Sequence, residues 1–163
     1  RGLGDVYKRQ AYLYCRKRSL PFLRWVDCFI PCVALAQGFG RIGCFLAGCC
    51  FGKPTECFLG VTFPAGSMAP AGIPLWPVQL FSAAGDFLLA GALLLLEKKR
   101  RGDGLLAGAY LLLYSIGRFL IEFLRADPRG AVGTLSTSQF IALFTAAAGA
   151  AILILRKRGT PHG

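Results

Sequence analysis

Long uncharged apolar runs, separated by short blocks of lysine and arginine, constrain this chain more than any other feature of its sequence. Hydrophobic residues make up 55% and charged residues 17% of its 163 residues, and the mean hydropathy is +0.53. A helix of about 20 apolar residues is long enough to cross the hydrocarbon core of a bilayer. We therefore expect an all-α fold, a polytopic transmembrane helix bundle.

Four such runs occur one after another along the chain. We predict spanning helices over about residues 25–50, 78–96, 104–124 and 139–155. The first is interpreted as one helix, with a break near its glycines left open. Residues 51–77 contain repeated prolines, which cannot continue a helix. That segment is predicted to be a surface or interfacial loop.

Positive charge is distributed unequally over the two sides of this predicted bundle. If the segment before the first span is inside, the inner side carries the blocks at 16–24, 98–101 and 156–158, and the outer side carries Lys53, Arg125 and Arg129. Because cytoplasmic loops carry the excess of lysine and arginine, both ends of the chain are expected to be cytoplasmic. The polar groups within the spans then lie near the outer leaflet.

The net charge of +11 and the pI near 9.8 do not indicate nucleic-acid binding. Lysine and arginine cluster at the ends of apolar segments, whereas a nucleic-acid-binding protein presents a basic face or stripe. The expected partner of these charges is the membrane lipid bilayer.

The two ends of the chain differ from its middle. Residues 1–10 share no pattern with the rest of the chain and are expected to be foreign to the protein, as from a sequencing or cloning artefact. Residues 11–158 are expected to form one transmembrane domain, and residues 159–163 a cytoplasmic tail.

Arg41 is a single charge inside an otherwise uncharged run, between small residues. Because a guanidinium keeps its proton, it needs an anionic partner or a wet cavity in hydrocarbon. Tyr114, Arg118 and Glu122 are spaced by four residues and share one face of the third predicted helix. Two interpretations stay open: Arg118 and Glu122 neutralise each other, or Arg118 and Arg41 jointly bind a phosphate. In the second, Glu122 would hold Arg118 in place or handle a proton.

Seven cysteines, an odd number, lie between residues 15 and 57. Cys49, Cys50 and Cys57 could form a local disulfide, a redox pair or a soft-metal site. No Cys-x-x-Cys or Cys/His spacing supports zinc, so we expect no metal and no cofactor. Small apolar residues packed in a bundle are the plainer interpretation of these cysteines.

Two segments resemble signatures of the prolipoprotein diacylglyceryl transferase family. The stretch GRIGCFLAGCCFGKPT at 40–55 is similar to the family's Gly-Arg-x-Gly-Asn-Phe-x-Asn-Gly-Glu-x-x-Gly-x-Pro-Thr, with Cys44, Ala47 and Cys49 in place of Asn, Asn and Glu. The stretch YSIGRFLIEFLR at 114–125 is similar to its Tyr-x-x-x-Arg-Phe-x-x-Glu-x-x-Arg helix.

Two shorter segments resemble the same family less closely. Residues 76–82 keep the Pro, Gln and Leu of its His-Pro-Thr-Gln-Leu-Tyr-Glu, with Trp76 and Ser82 in place of His and Glu. Residues 135–139 resemble its Leu-Thr-x-Gly-Gln, where Ser136 is also a predicted helix N-cap. The resemblance covers about residues 11–158 and the C-terminal part of the family's sequences, whose N-terminal spans are expected to precede this chain.

The resemblance implies transfer of the diacylglyceryl group of phosphatidylglycerol to the lipobox cysteine thiol of a preprolipoprotein signal peptide, in a bacterial cytoplasmic membrane. It implies catalytic roles for Arg41, Arg118 and Glu122. The residues that it implies for substrate binding are Arg41, Gly43, Gly48, Gln79, Tyr114 and Arg118. Two alternatives stay open: a non-catalytic phospholipid-binding membrane protein, and a thiol-redox membrane protein using Cys49, Cys50 and Cys57.

Overall fold

Four long helices form the computed structural model, which describes residues 10, 13–14, 22–98, 103–126, 131–132 and 135–158. They are α1 (Phe22–Leu46), α2 (Val78–Lys98), α3 (Leu105–Glu122) and α4 (Thr137–Arg158). Each contains a segment long and apolar enough to cross a membrane. This confirms the predicted all-α bundle with four spanning helices. The predictions for residues 1–9 and 159–163 lie outside the described residues.

Helix α1 ends four residues before the predicted boundary and does not break at its glycines. Gly48 has a φ of +66°, and its N–H donates to the Phe45 carbonyl at 3.0 Å. The Cys49 N–H donates to the Cys44 carbonyl, also at 3.0 Å. These two bonds form a Schellman motif, in which a left-handed glycine closes the helix and satisfies its last carbonyls. The glycine therefore stops the helix inside the uncharged run.

The helices pack chiefly as two pairs, α1 with α2 and α3 with α4. In the second pair, a Cβ on Gly149 would lie 2.8 Å from the Leu112 nitrogen and 2.9 Å from the Gly108 oxygen, so the two backbones are nearly in contact. In the first pair, Gly38 faces the ring of Phe87. One buried cluster joins α1, α2 and α3; it consists of Ala34, Leu89, Ala90, Leu93, Leu106, Ala109 and Tyr110.

Asp27, fully buried in the first turns of α1, caps the start of α3. Its two carboxylate oxygens accept hydrogen bonds from the backbone N–H groups of Gly104 and Ala107, each at 2.8 Å. Gly104, the N-cap residue of α3, has no side chain to do this. The carboxylate also faces the positive end of the α3 dipole, so Asp27 ties the two helix pairs together at one end of the bundle.

The segment between α1 and α2 is not helical, as predicted. It is held by isolated β-bridges, among them Val61 with Leu75, and it has a small core of Phe63, Ala69 and Leu75. The Lys53 N–H donates to the Leu124 carbonyl at 2.9 Å, which joins the segment to the end of α3. The segment therefore covers the end of the bundle opposite to Asp27.

Two antiparallel strands of two residues each, β1 (Ala131–Val132) and β2 (Leu135–Ser136), lead into α4. The Ser136 Oγ accepts the Gln139 N–H at 3.2 Å, and the Gln139 Oε1 accepts the Ser136 N–H at 3.1 Å. This reciprocal pair is a capping box. It confirms the prediction that Ser136 is the N-cap.

Candidate functional site

A cavity of about 300 Å³ opens between α1, α2 and α3. Its polar wall consists of Arg41 from α1, Ser82 and Asp86 from α2, and Tyr114 and Arg118 from α3. The rest of its lining is largely apolar; it includes Leu88, Leu89, Ala92, Leu113 and Ile121. The structure thus brings Arg41, Arg118 and Tyr114 together from two separate segments into one cavity.

Both arginines of this cavity keep their donors available. Among the described residues, neither Arg41 nor Arg118 makes a hydrogen bond or an ion pair. The two guanidinium groups interact electrostatically with each other and with Asp86. Arg118 also interacts electrostatically with Arg125, Tyr114 and Glu122. Because like charges held close together in an apolar wall repel, an anion that contacts both arginines would be bound strongly.

Glu122 forms no direct ion pair with Arg118 among the described residues. One of its carboxylate oxygens accepts a hydrogen bond from the Ser136 hydroxyl at 3.0 Å, and the other lies 4.0 Å from the Arg125 Nε. The Glu122 and Arg125 side chains are only 7% and 3% exposed. The closer cation to Glu122 is therefore Arg125, while Arg118 interacts with Glu122 only electrostatically, and the catalytic role of Glu122 stays a prediction.

Gln79 lies beside the cavity and holds the turn after α1. Its Nε2 donates to the Cys49 carbonyl at 2.8 Å, and its buried Oε1 has no hydrogen-bond partner within the described part of the chain. Ser82, one turn further along α2, lines the cavity. Gln79 therefore connects the cavity wall to the end of α1, and direct contact with a substrate stays a prediction.

The two predicted glycines occupy different settings. A Cβ on Gly43 would meet no atom of the described residues within 4 Å, so this exposed position leaves room beside the end of α1. Gly48 is buried, and a Cβ there would lie 2.7 Å from the Ser67 Cβ. Gly48 is required by the left-handed turn and its packing, whereas a substrate contact of either glycine stays a prediction.

Tyr114 and Arg118 also line a second cavity of about 350 Å³ on the opposite side of α3, against α4. Tyr114 stacks on Tyr110, with ring centroids 5.4 Å apart, and the Tyr110 hydroxyl donates to the Gln37 Oε1 at 2.7 Å. This chain of contacts fixes the tyrosine between the two cavities. Residue patterns alone did not identify Asp86 or this second cavity, although a carboxylate inside an apolar span was a usable signal for the former.

Three thiols meet at the end of α1. The sulfur atoms of Cys44, Cys49 and Cys50 all lie within 4.8 Å of one another, and Cys57 is not part of this group. None of the six described cysteines forms a disulfide. Burial, followed by the hydrogen bond with Cys44 and the neighbouring thiols, raises the pKa of Cys49 to about 11. The thiol of Cys49 therefore stays protonated at neutral pH.

The bundle and the two arginines in its cavity define the class: a membrane protein with a cationic cavity between its helices. Within that class, the family model for prolipoprotein diacylglyceryl transferase matches residues 8–155, and the chain belongs to this family.

Curated relatives carry the same description. A phosphatidylglycerol–prolipoprotein diacylglyceryl transferase of Clostridium tetani is 53% identical over 135 residues, which are 83% of this chain and 54% of that protein. A second one, of Clostridium perfringens, is 52% identical over 128 residues, 78% of this chain and 50% of that protein. A third, of Finegoldia magna, is 33% identical over 149 residues, 91% of this chain and 57% of that protein. The chain spans about half the length of these relatives.

Proposed function

We propose that this chain carries the phospholipid site of a phosphatidylglycerol–prolipoprotein diacylglyceryl transferase. The observation that supports this most directly is that Arg41 and Arg118 line one largely apolar cavity with no hydrogen-bond or ion-pair partner among the described residues. A cationic wall beside apolar side chains suits a lipid whose phosphate is anionic and whose acyl chains are apolar. The names of the relatives agree with this substrate class.

In the proposed reaction, the thiol sulfur of the acceptor cysteine attacks the terminal glycerol carbon of the diacylglyceryl group. A carbon–sulfur bond forms, the bond from that carbon to the phosphate oxygen breaks, and glycerol phosphate leaves with the electron pair. The thiol proton passes to the departing phosphate monoester or to water, which completes the balance. Negative charge therefore grows on the departing phosphate, and fixed cations beside it lower the barrier.

The chain's own residues can supply these fixed cations and hold them in position. Arg41 and Arg118 project from different helices into one cavity, so they can grip the phosphate from two sides. Because Tyr114 and Arg118 also line the cavity against α4, the acceptor peptide can approach the same arginine from the other side of α3. Glu122, held by Ser136 and Arg125, would keep the end of α3 in place.

For the setting, we propose a multi-pass protein of the bacterial cytoplasmic membrane with both ends of the chain in the cytoplasm. The cavity residues lie towards the bundle end where α1 and α3 finish and α2 and α4 begin. The charge distribution supports an outer position for that end. The proposed partners are phosphatidylglycerol from the outer leaflet and a preprolipoprotein signal peptide with its lipobox cysteine.

One observation favours a second candidate, a phospholipid-binding protein without transferase activity. Cysteines stand at two positions where the family signature resembled by this sequence has Asn and Glu, namely Cys44 and Cys49. The polar side chains of that Asn and that Glu are thus missing from the turn next to Arg41, while both arginines are kept. Such a protein would bind the lipid and transfer nothing.

A chimera tests both candidates. This chain replaces the matching part of the Clostridium tetani relative, and membranes containing the chimera receive radiolabelled phosphatidylglycerol and a synthetic lipobox peptide. Label on the peptide cysteine supports the transferase. Lipid bound by folded chimera with no label on the peptide, while the unaltered relative transfers it, supports the binding protein.

A further inference from the structure

We propose that Cys44, Cys49 and Cys50 form a binding site for one thiophilic cation, of the class that includes Zn²⁺ and Cu⁺. This site lies at the end of α1 and in the turn that follows it. It goes beyond the proposed transferase function and does not depend on it.

The backbone of the turn brings the thiols together. In the Schellman motif that ends α1, Cys44 and Cys49 occupy the two positions whose side chains meet across the closing turn. Cys50 follows with a φ of +59°, a conformation that non-glycine residues rarely adopt. This turn directs the third sulfur back towards the first two, so the cluster results from the local fold of residues 44–50.

The sulfur atoms are close to the spacing that a metal ion needs. Sulfurs bound to zinc at about 2.3 Å in tetrahedral geometry lie about 3.8 Å apart. The three sulfurs lie within 4.8 Å of one another without any ion. Small side-chain rotations would close the site, and the backbone would stay in place.

The surroundings hold the cluster firmly and leave one side open. Gln79 donates to the Cys49 carbonyl, and Gly48 packs against Ser67. Among the described residues, no fourth histidine, cysteine or carboxylate belongs to the group. Three thiolates suit a trigonal Cu⁺, or a Zn²⁺ whose fourth position is taken by water or another ligand.

Charge also favours the ion. Each thiol that binds the metal releases its proton to solvent, and no electron is transferred. A monovalent or divalent cation with three thiolates carries net negative charge. Arg41 precedes Cys44 by three residues on the same helix, a spacing at which Cβ atoms are about 5–6 Å apart. The guanidinium therefore offsets that charge, and the ion would lie next to the wall of the α1–α2–α3 cavity.

Metal content after equilibration tests the proposal. The full chain, reduced and kept without oxygen in lipid nanodiscs, is equilibrated with increasing concentrations of Zn²⁺ in one series and of Cu⁺ in another, and bound metal is counted by mass spectrometry at each concentration after removal of excess. The triple variant C44A/C49A/C50A is compared with the control C28A/C32A/C57A, which loses the same number of thiols elsewhere.

We expect about one ion per chain in the wild type and the control. In the cluster variant we expect at least a tenfold loss of affinity, since even the loss of a supporting group lowers metal affinity by about 10- to 100-fold. Equal metal content in the two triple variants, or none in the reduced wild type, would overturn the proposal. The series with the higher affinity identifies the ion.

X-ray absorption on the metal-loaded wild type covers the case in which the cluster variant does not fold. Three sulfur neighbours support the site. Coordination by oxygen and nitrogen alone shows that the ion is bound elsewhere and contradicts it. Both readouts report the metal and not lipid transfer, so failure of this proposal is distinguishable from failure of the transferase proposal.

Discussion

Arg41 and Arg118 are the two residues whose removal tests the phosphate site most directly. We expect Arg41→Gln or Arg118→Gln in the active chimera to lower the transfer rate by about 100- to 1,000-fold, the usual effect of losing one donor to a developing anion. Lysine at either position should restore only part of the rate, because it keeps the charge and loses the forked geometry.

Arg24→Gln is the matched control for these two variants. Arg24 also lies on α1, but its side chain is 65% exposed and its partner Asp103 is remote from the cavity. Its rate should equal that of the parent chimera. Unchanged transfer by Arg41→Gln would contradict the assignment of the cavity as the phosphate site.

At the level of helices, the cap that Asp27 provides to α3 is a contact between residues far apart in the chain. Asp27→Asn keeps the shape but replaces one acceptor oxygen by a donor, which faces a backbone N–H group, and removes the charge beside the helix dipole. We expect a loss of about 1–3 kcal/mol in the free energy of unfolding, measured by denaturant titration in detergent. Glu97→Gln, which changes an exposed carboxylate on α2, is the control and should alter the free energy of unfolding by no more than about 0.5 kcal/mol. Equal losses for Asp27→Asn and Glu97→Gln would refute the capping role of Asp27.

The pairing of α3 with α4 depends on the close approach at Gly149. A methyl group there would lie under 3 Å from two backbone atoms of α3, so Gly149→Ala must push the helices apart. We expect a lower melting temperature and a loss of about 1–3 kcal/mol. Gly91→Ala on α2 serves as the control, because a Cβ at Gly91 would meet no atom of the described residues within 4 Å. A Gly149→Ala protein as stable as the control would show that the helices tolerate a wider spacing.

On the scale of the whole molecule, hydropathy was sufficient for the four spans, because each helix must fill the same hydrocarbon thickness. Arg41 and Arg118 were recognisable as isolated charges in apolar runs. The ion-pair partner of Glu122 was not recognisable from the sequence, because Arg118 and Arg125 are both helical neighbours of Glu122. The way in which α3 ends decides between them. The contacts of Asp27 and Asp86 depend on how the helices are rotated against each other, and the cysteine cluster depends on the geometry of a turn. Residue spacing specifies neither the rotation nor the turn.

The orientation of the bundle decides which leaflet supplies the lipid. Glu56, in the segment between α1 and α2, and Glu97, in the last turn of α2, are both exposed and lie at opposite ends of the bundle. In a cysteine-free variant, we expect Glu56→Cys to react with a membrane-impermeant maleimide added outside spheroplasts. Glu97→Cys should react only after lysis, because Lys98 and the basic residues after it are retained on the cytoplasmic side. The opposite labelling pattern would place the arginine cavity at the inner leaflet, where an acceptor cysteine already carried across the membrane could not reach it.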